Sequence, residues 1–200
     1  MKKIKIICWK FGLFGNDGNE SGVECLFNEL NEIISNYRKD KKYIQYDYAK
    51  LISIIIYDYN NVKEYINWDK KISNYYSKTI NNNFFPIFIG GNHLSVLPIY
   101  NHYGKKERKT LILTFDAHID LYGEIDNDLY HGNFLHHVDK NDNVDIIHIG
   151  NRELLVDKNE VSNVLNETFS MFYIIKNGID KLDKIINDKS SEYDDIHLDF

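Results

Sequence analysis

Three stretches of this 200-residue chain hold residue types that bind divalent metals: Gly90-Gly91-Asn92-His93, Asp116-Ala117-His118-Ile119-Asp120, and His197-Leu198-Asp199-Phe200. Mixed imidazole and carboxylate donors suit borderline-hard divalent ions, and a set without thiolates disfavours a structural zinc site. Mn²⁺ fits a carboxylate-rich set best, with Fe²⁺, Co²⁺ or Zn²⁺ as substitutes. Asp116, His118 and Asp120 continue a very apolar run, and burying them is costly unless something pairs with them. A divalent cation would be such a partner. On an extended segment, side chains at i, i+2 and i+4 point the same way. The three would then converge on one cavity while Ala117 and Ile119 turn into packing. Two ions roughly 3.5–4 Å apart would make a bridging water lose its proton near neutral pH and become a nucleophile. Taken singly, Asp-x-His-x-Asp reads as well as an exposed loop, and Gly-Gly-Asn-His as a turn into a helix. Their joint occurrence, each after a strand-like run, favours a site.

The elements that must position these residues alternate between strand-like and helix-like. Short apolar, β-branched runs predict strands over 4–11, 84–89, 111–115, 145–149, 171–175 and 196–200. Residues 43–48 alternate and suit a further strand, while 51–56 fit a strand or a buried helix equally. Helical spacing predicts helices over 23–37, with Ser21 as cap, and over 62–80, 94–102, 161–165 and 179–186, plus a short one near Asn133. Residues 12–22 and the acidic stretch 116–130 read as loops. Such alternation implies a three-layer α/β arrangement: a mostly parallel, doubly wound sheet with helices on both faces. No repeat or linker divides the sequence, so residues 1–200 are expected to form a single domain. In such sheets, functional groups gather where strands end.

Composition narrows the function classes. A formal net charge of −6 argues against a nucleic-acid groove. The chain has two cysteines, Cys8 and Cys25, which excludes a disulfide framework and any Cys-x-x-Cys motif. The apolar part of the N-terminus is too short for a signal peptide, and no segment approaches the roughly 20 apolar residues of a membrane span. A cytoplasmic protein is expected.

At its ligand-bearing segments the sequence resembles the ureohydrolase family of arginases, agmatinases and related guanidino hydrolases. The family's Gly-Gly-Asp-His segment matches Gly90 to His93, its Asp-Ala-His-x-Asp segment matches Asp116 to Asp120, and its His-Gly segment matches His131-Gly132. Its Ser-x-Asp-x-Asp segment matches His197 to Phe200 in part, and Ile149-Gly150-Asn151-Arg152 is similar to its Ile-Gly-x-Arg strand end. The resemblance spans about residues 85–200. It implies that His93 and Asp120 bind one metal, His118 the other, and that Asp116 and Asp199 bridge both. Asp120 would also hold the bridging hydroxide for attack on a guanidinium carbon, giving urea and an amine. His131 would move a proton to the leaving amine, and Asn133 would help position the substrate. Two Mn²⁺ ions and a small cationic guanidino substrate follow, with a homo-oligomer compatible. Glu124, Asp126 and Asp128 would attract such a substrate, or form an ordinary solvated loop. The run from His131 to Val138 is closer to arginase-like enzymes that act on arginine within peptides.

The sequence departs from the family pattern at Asn92, where Asp is usual, and at His197, where Ser is usual. Phe200 falls one residue before a further expected aspartate, a ligand of the second metal, so a fragment lacking the last strands is expected. Two other readings compete. A metallophosphoesterase also uses Asp-x-His and Gly-Asn-His segments, although in the reverse order. A non-enzymatic metal-binding protein with a degraded site would account for Asn92 and the missing ligand.

Overall fold

Ile6 and Cys8 on one side of residues 3–10 and Ile7 and Trp9 on the other give the stretch two faces to bury, and helices are found against both. A computed structural model describes residues 2–12, 18–39, 51–58, 65–82, 84–123, 129–152 and 157–200. The chain divides into two compact units, Met1–Ile99 and Tyr100–Phe200.

In the first unit, β1 (Lys3–Lys10) pairs in parallel with β2 (Ile52–Asp58) and β3 (Phe84–Ile89), in the order β2-β1-β3. One face of β1, with Ile6 and Cys8, packs on Val23 and Ile34 of α1 (Asn19–Lys39). Burial pushes the Cys8 thiol up to about 11, so it behaves as a small apolar side chain. On another patch, Trp9 stacks on Phe88 at 4.8 Å and meets Trp68 of α2 (Tyr65–Asn81) edge-on at 5.4 Å; Phe11 lies 4.4 Å from Trp68. The ambiguous run 51–56 is a strand, because its β-branched side chains lie beside β1 on a parallel ladder. Helix α1 starts before Ser21, contrary to the expected cap. The Gly18 carbonyl accepts from both Ser21 N and Gly22 N, and Gly18 takes a φ of +91° that side-chain-bearing residues rarely adopt. The expected strand 43–48 lies outside the described residues.

After β3 come a 3-10 turn (His93–Val96) and α3 (Leu97–Tyr103), in which Pro98 sits in the first turn as expected. The second unit holds β4 (Thr110–Phe115), a second 3-10 turn (His131–His137), β5 (Val144–Ile149), α4 (Lys158–Val164), β6 (Glu167–Phe169), α5 (Met171–Asn177), α6 (Ile179–Ser190) and β7 (Asp195–Asp199). Its sheet is parallel, in the order β6-β5-β4-β7. Leu111, Leu113, Ile147, Ile149 and Phe169 form one face and pack on Leu182, Ile185 and Ile186 of α6. On the other face of β4, Tyr100 of α3 bonds to Thr114 and meets Phe134 edge-on.

The expected strand over 171–175 is instead helix α5. Ser170 caps it, accepting a hydrogen bond from Tyr173 N at 3.1 Å, and Gly178 ends it at φ +83°. An apolar run of five residues does not separate strand from helix by periodicity. Among the described residues, no helix is long and apolar enough to cross a membrane.

Histidines of the second unit tie stability to pH, His102 and His137 among them. Burial lowers the pKa of His102, with Lys106 and Lys105 adding to it; burial and then His136 lower that of His137. Unfolded, each titrates near ~6.5, so below that value the unfolded state holds more protons and stability is lost as pH falls. Above it, both states are neutral and the contribution is intact. Metal-free protein should therefore show a Tm that drops between about pH 7 and about pH 5, and less steeply when His102 and His137 are both Gln. Thermal melts across that range check this.

Candidate metal centre

Strand β4 ends at Phe115, and the next residues form a loop clamped along its length. Asp116 N donates to Ile149 O at 3.1 Å, Arg152 N to Ala117 O at 3.0 Å, and Tyr122 N to Gly132 O at 3.0 Å. His148, buried in β5, donates from Nε2 to the carbonyl of His118 at 2.7 Å, which fixes its proton on that nitrogen. The carbonyl of Asp120 accepts from Leu135 N in the 3-10 turn at 3.4 Å. The loop from 116 to 122 is thus tied to β5, to Arg152 just beyond it, and to the turn that begins at His131.

Within the loop the three predicted ligands do not keep strand alternation. The Asp116 carboxylate accepts from His118 N at 3.1 Å, a tight Asx-type turn that bends the chain at 117–118. His118 is consequently exposed, its side chain 63% accessible, with Nδ1 3.8 Å from Asp116 Oδ1. Asp116 is half-buried, and Asp120 is 7% exposed. Ile119 is buried, as expected. Asp120 has φ +54°, which Asp tolerates better than most residues because its short polar side chain can bond locally. A buried carboxylate on a left-handed backbone is an arrangement that cation binding would stabilise.

Asp199 closes β7, beside Thr114 in the β4–β7 register. Its Oδ2 accepts from Tyr100 Oη at 2.6 Å, and the same phenol lies 3.0 Å from Thr114 Oγ1. Burial, and then the Asp199 carboxylate, push the Tyr100 pKa well above its ordinary value, so the phenol is the donor. His197, two residues earlier on the same face, bonds through Nδ1 to Tyr103 Oη at 3.1 Å. Burial lowers its pKa, against the opposing effect of Asp199.

His131 opens the second 3-10 turn, half-buried and edge-on to Tyr130 at 5.9 Å. Asn133 is fully buried, and its Oδ1 accepts from Tyr130 N at 2.9 Å, closing that turn. His93, in the first unit, is half-buried and opens the 3-10 turn after Gly90-Gly91. A Cβ at Gly91 would lie 1.9 Å from the carbonyl oxygen of Phe11, so only glycine lets the chain pass there. Residues 124–128, which carry the expected acidic side chains, lie outside the described residues.

The loop, its two carboxylates and the parallel sheet that presents them can be compared with known proteins. The sequence profile of the arginase family matches residues 14–200. The chain belongs to the arginase family. Its fold is that of other family members, a three-layer α/β architecture. Against the crystal structure of arginase from Bacillus subtilis the TM-score is 0.72 at 19% identity, covering 98% of this chain and 73% of that one. Agmatine ureohydrolase from Thermoplasma volcanium gives 0.70 at 16% identity, covering 98% and 66%. Formimidoylglutamase from Bacillus subtilis gives 0.71 at 14% identity, covering 99% and 64%. This arginase-family chain is therefore shorter than each of these structures. No curated protein sequence matches it.

Tyr100, Thr114 and His148 were not legible as site residues in the sequence. A tyrosine in an apolar helix and a histidine inside a strand read as core, and their partners are distant in sequence.

Proposed function

We propose that this arginase-family chain is a metal-dependent hydrolase that releases urea from a guanidino compound, with residues 1–200 acting as one arginase-like domain. The observation that carries the reading is the clamped loop 116–122, which holds the buried Asp120 and half-buried Asp116 carboxylates just past β4. His93, Asp116 and Asp120 are assigned to one cation on the family resemblance, and none of them is fully exposed. One imidazole with two carboxylates is the donor chemistry of a Mn²⁺ site. His118 is assigned to a second ion, and Asp116 and Asp199 would serve both. When bound, the ions would act as Lewis acids and make a water deprotonable near neutral pH.

The chain's own residues do the rest. Asp120, locked by its backbone and by the Leu135 N–H, supplies a fixed carboxylate oxygen that orients the attacking water. His131 stands on a turn closed by Asn133, and its half-buried ring is assigned the proton delivered to the leaving amine. Asn133 serves the substrate side through that turn. The preferred substrate is cationic, either a free guanidino compound or an arginine side chain within a peptide.

The test is urea release from arginine, agmatine and an arginine-containing peptide in the presence of Mn²⁺. Urea from at least one substrate, abolished by a chelator, is the expected result. Phosphate release from p-nitrophenyl phosphate without any urea would overturn the reading. Turnover of agmatine alone would remove the peptide arm.

A further inference from the structure

We propose that Tyr100 is a positioning residue of the metal centre, its phenol setting the orientation in which the Asp199 carboxylate meets a cation. This rests on the assignment of Asp199 as a ligand. Tyr100 and Tyr103 lie three residues apart on α3, on one helical face. His197 and Asp199 lie two apart on β7, on one strand face. The two periods meet in register, Tyr103 Oη on His197 Nδ1 at 3.1 Å and Tyr100 Oη on Asp199 Oδ2 at 2.6 Å. The rings also touch: His197 sits edge-on to Tyr100 at 5.7 Å and to Tyr103 at 5.5 Å.

The Tyr100 phenol is itself fixed. Its ring is fully buried and edge-on to Phe134, and Thr114 Oγ1 holds its oxygen at 3.0 Å. Thr114 is also buried, and is the β4 register partner of Asp199. A strand-end carboxylate would otherwise sample several rotamers. Here one oxygen is pinned by a donor that cannot move without disturbing the core, so the other is aimed. Partners of metal ligands that act in this way typically contribute about 10- to 100-fold to metal affinity.

The experiment is calorimetric titration of the full chain with Mn²⁺, in wild type, Tyr100→Phe, Asp199→Asn and the double variant. Phe preserves the ring and removes only the hydroxyl. The expected result is Mn²⁺ binding weakened about 10- to 100-fold by Tyr100→Phe, and no further loss when it is added to Asp199→Asn. Wild-type affinity in Tyr100→Phe alongside weak binding in Asp199→Asn would overturn this inference and leave the metal assignment standing. No effect from Asp199→Asn, or no Mn²⁺ binding by wild type, would overturn both. A crystal structure of the Mn²⁺-loaded wild type gives a test that needs no variant to fold. The phenol should still bond to Asp199 while that carboxylate binds the ion, and a carboxylate turned away from Tyr100 would refute the role.

Discussion

Asp120→Asn should lower urea release by about 10³-fold and weaken Mn²⁺ binding with little change in Tm. The size follows from removing a ligand and orienting carboxylate that acts on charge in the transition state, worth several kcal/mol at about 1.4 kcal/mol per tenfold. The substitution separates chemistry from folding. Asn has the shape of Asp and is among the few side chains that enter the left-handed region, so the φ of +54° is tolerated. The Leu135 N–H to Asp120 carbonyl bond is a backbone contact and survives the change. A steady-state urea assay with a parallel thermal melt reads both quantities. Wild-type turnover by the Asn variant would mean that Asp120 is a structural acid of the loop.

The largest expected structural effect lies at Gly91. Gly91→Ala would place a methyl group 1.9 Å from the Phe11 carbonyl oxygen, a backbone atom at the end of the buried Trp9–Phe11 stretch. Forced insertions into packed regions cost about 1–3 kcal/mol, and more where the neighbour is backbone, so a loss near ~3 kcal/mol is expected. For a chain of this size that is a fall in Tm of roughly 6–12 °C. Because His93 stands two residues on, Mn²⁺ affinity should fall as well, even in variant protein that remains folded. A melt combined with Mn²⁺ titration below the transition distinguishes the two effects. An unchanged Tm would show that the segment can move aside.

Much of the fold is written locally. Strands β3, β4 and β5 coincide with, or lie within a residue of, the runs 84–89, 111–115 and 145–149, because each is β-branched, apolar and bounded by turn residues. Helix α5 was hidden for the opposite reason. Met171 to Ile175 is apolar throughout, yet Phe172 and Ile175 are largely exposed, so hydrophobicity there does not report burial in a sheet. The signals that decide it, Ser170 as cap and Gly178 as stop, were present in the sequence. The start of α1 shows how little separates a cap from the first turn, since Gly18 takes the role expected of Ser21.

The candidate site was legible as residue types but less so as geometry. Strand alternation puts Asp116, His118 and Asp120 on one side, but the Asp116 carboxylate captures the amide of His118 and bends the loop. The result is one buried, one half-buried and one exposed side chain. The supporting residues leave no local signature because they act across long separations. Tyr100 and Asp199 are 99 positions apart, and His148 reaches back 30 positions to the His118 carbonyl. Asn133, expected to help position the substrate, is buried and closes the turn that carries His131 through Tyr130 N.

Electron paramagnetic resonance of the full chain titrated with Mn²⁺ asks directly whether imidazole and carboxylates from separate stretches of sequence hold paired ions. Bound Mn²⁺ should give the exchange-coupled signal of two neighbouring ions, reduced to a single-ion spectrum in Asp199→Asn. A wild-type spectrum of free aqueous Mn²⁺ at all protein concentrations would contradict paired binding.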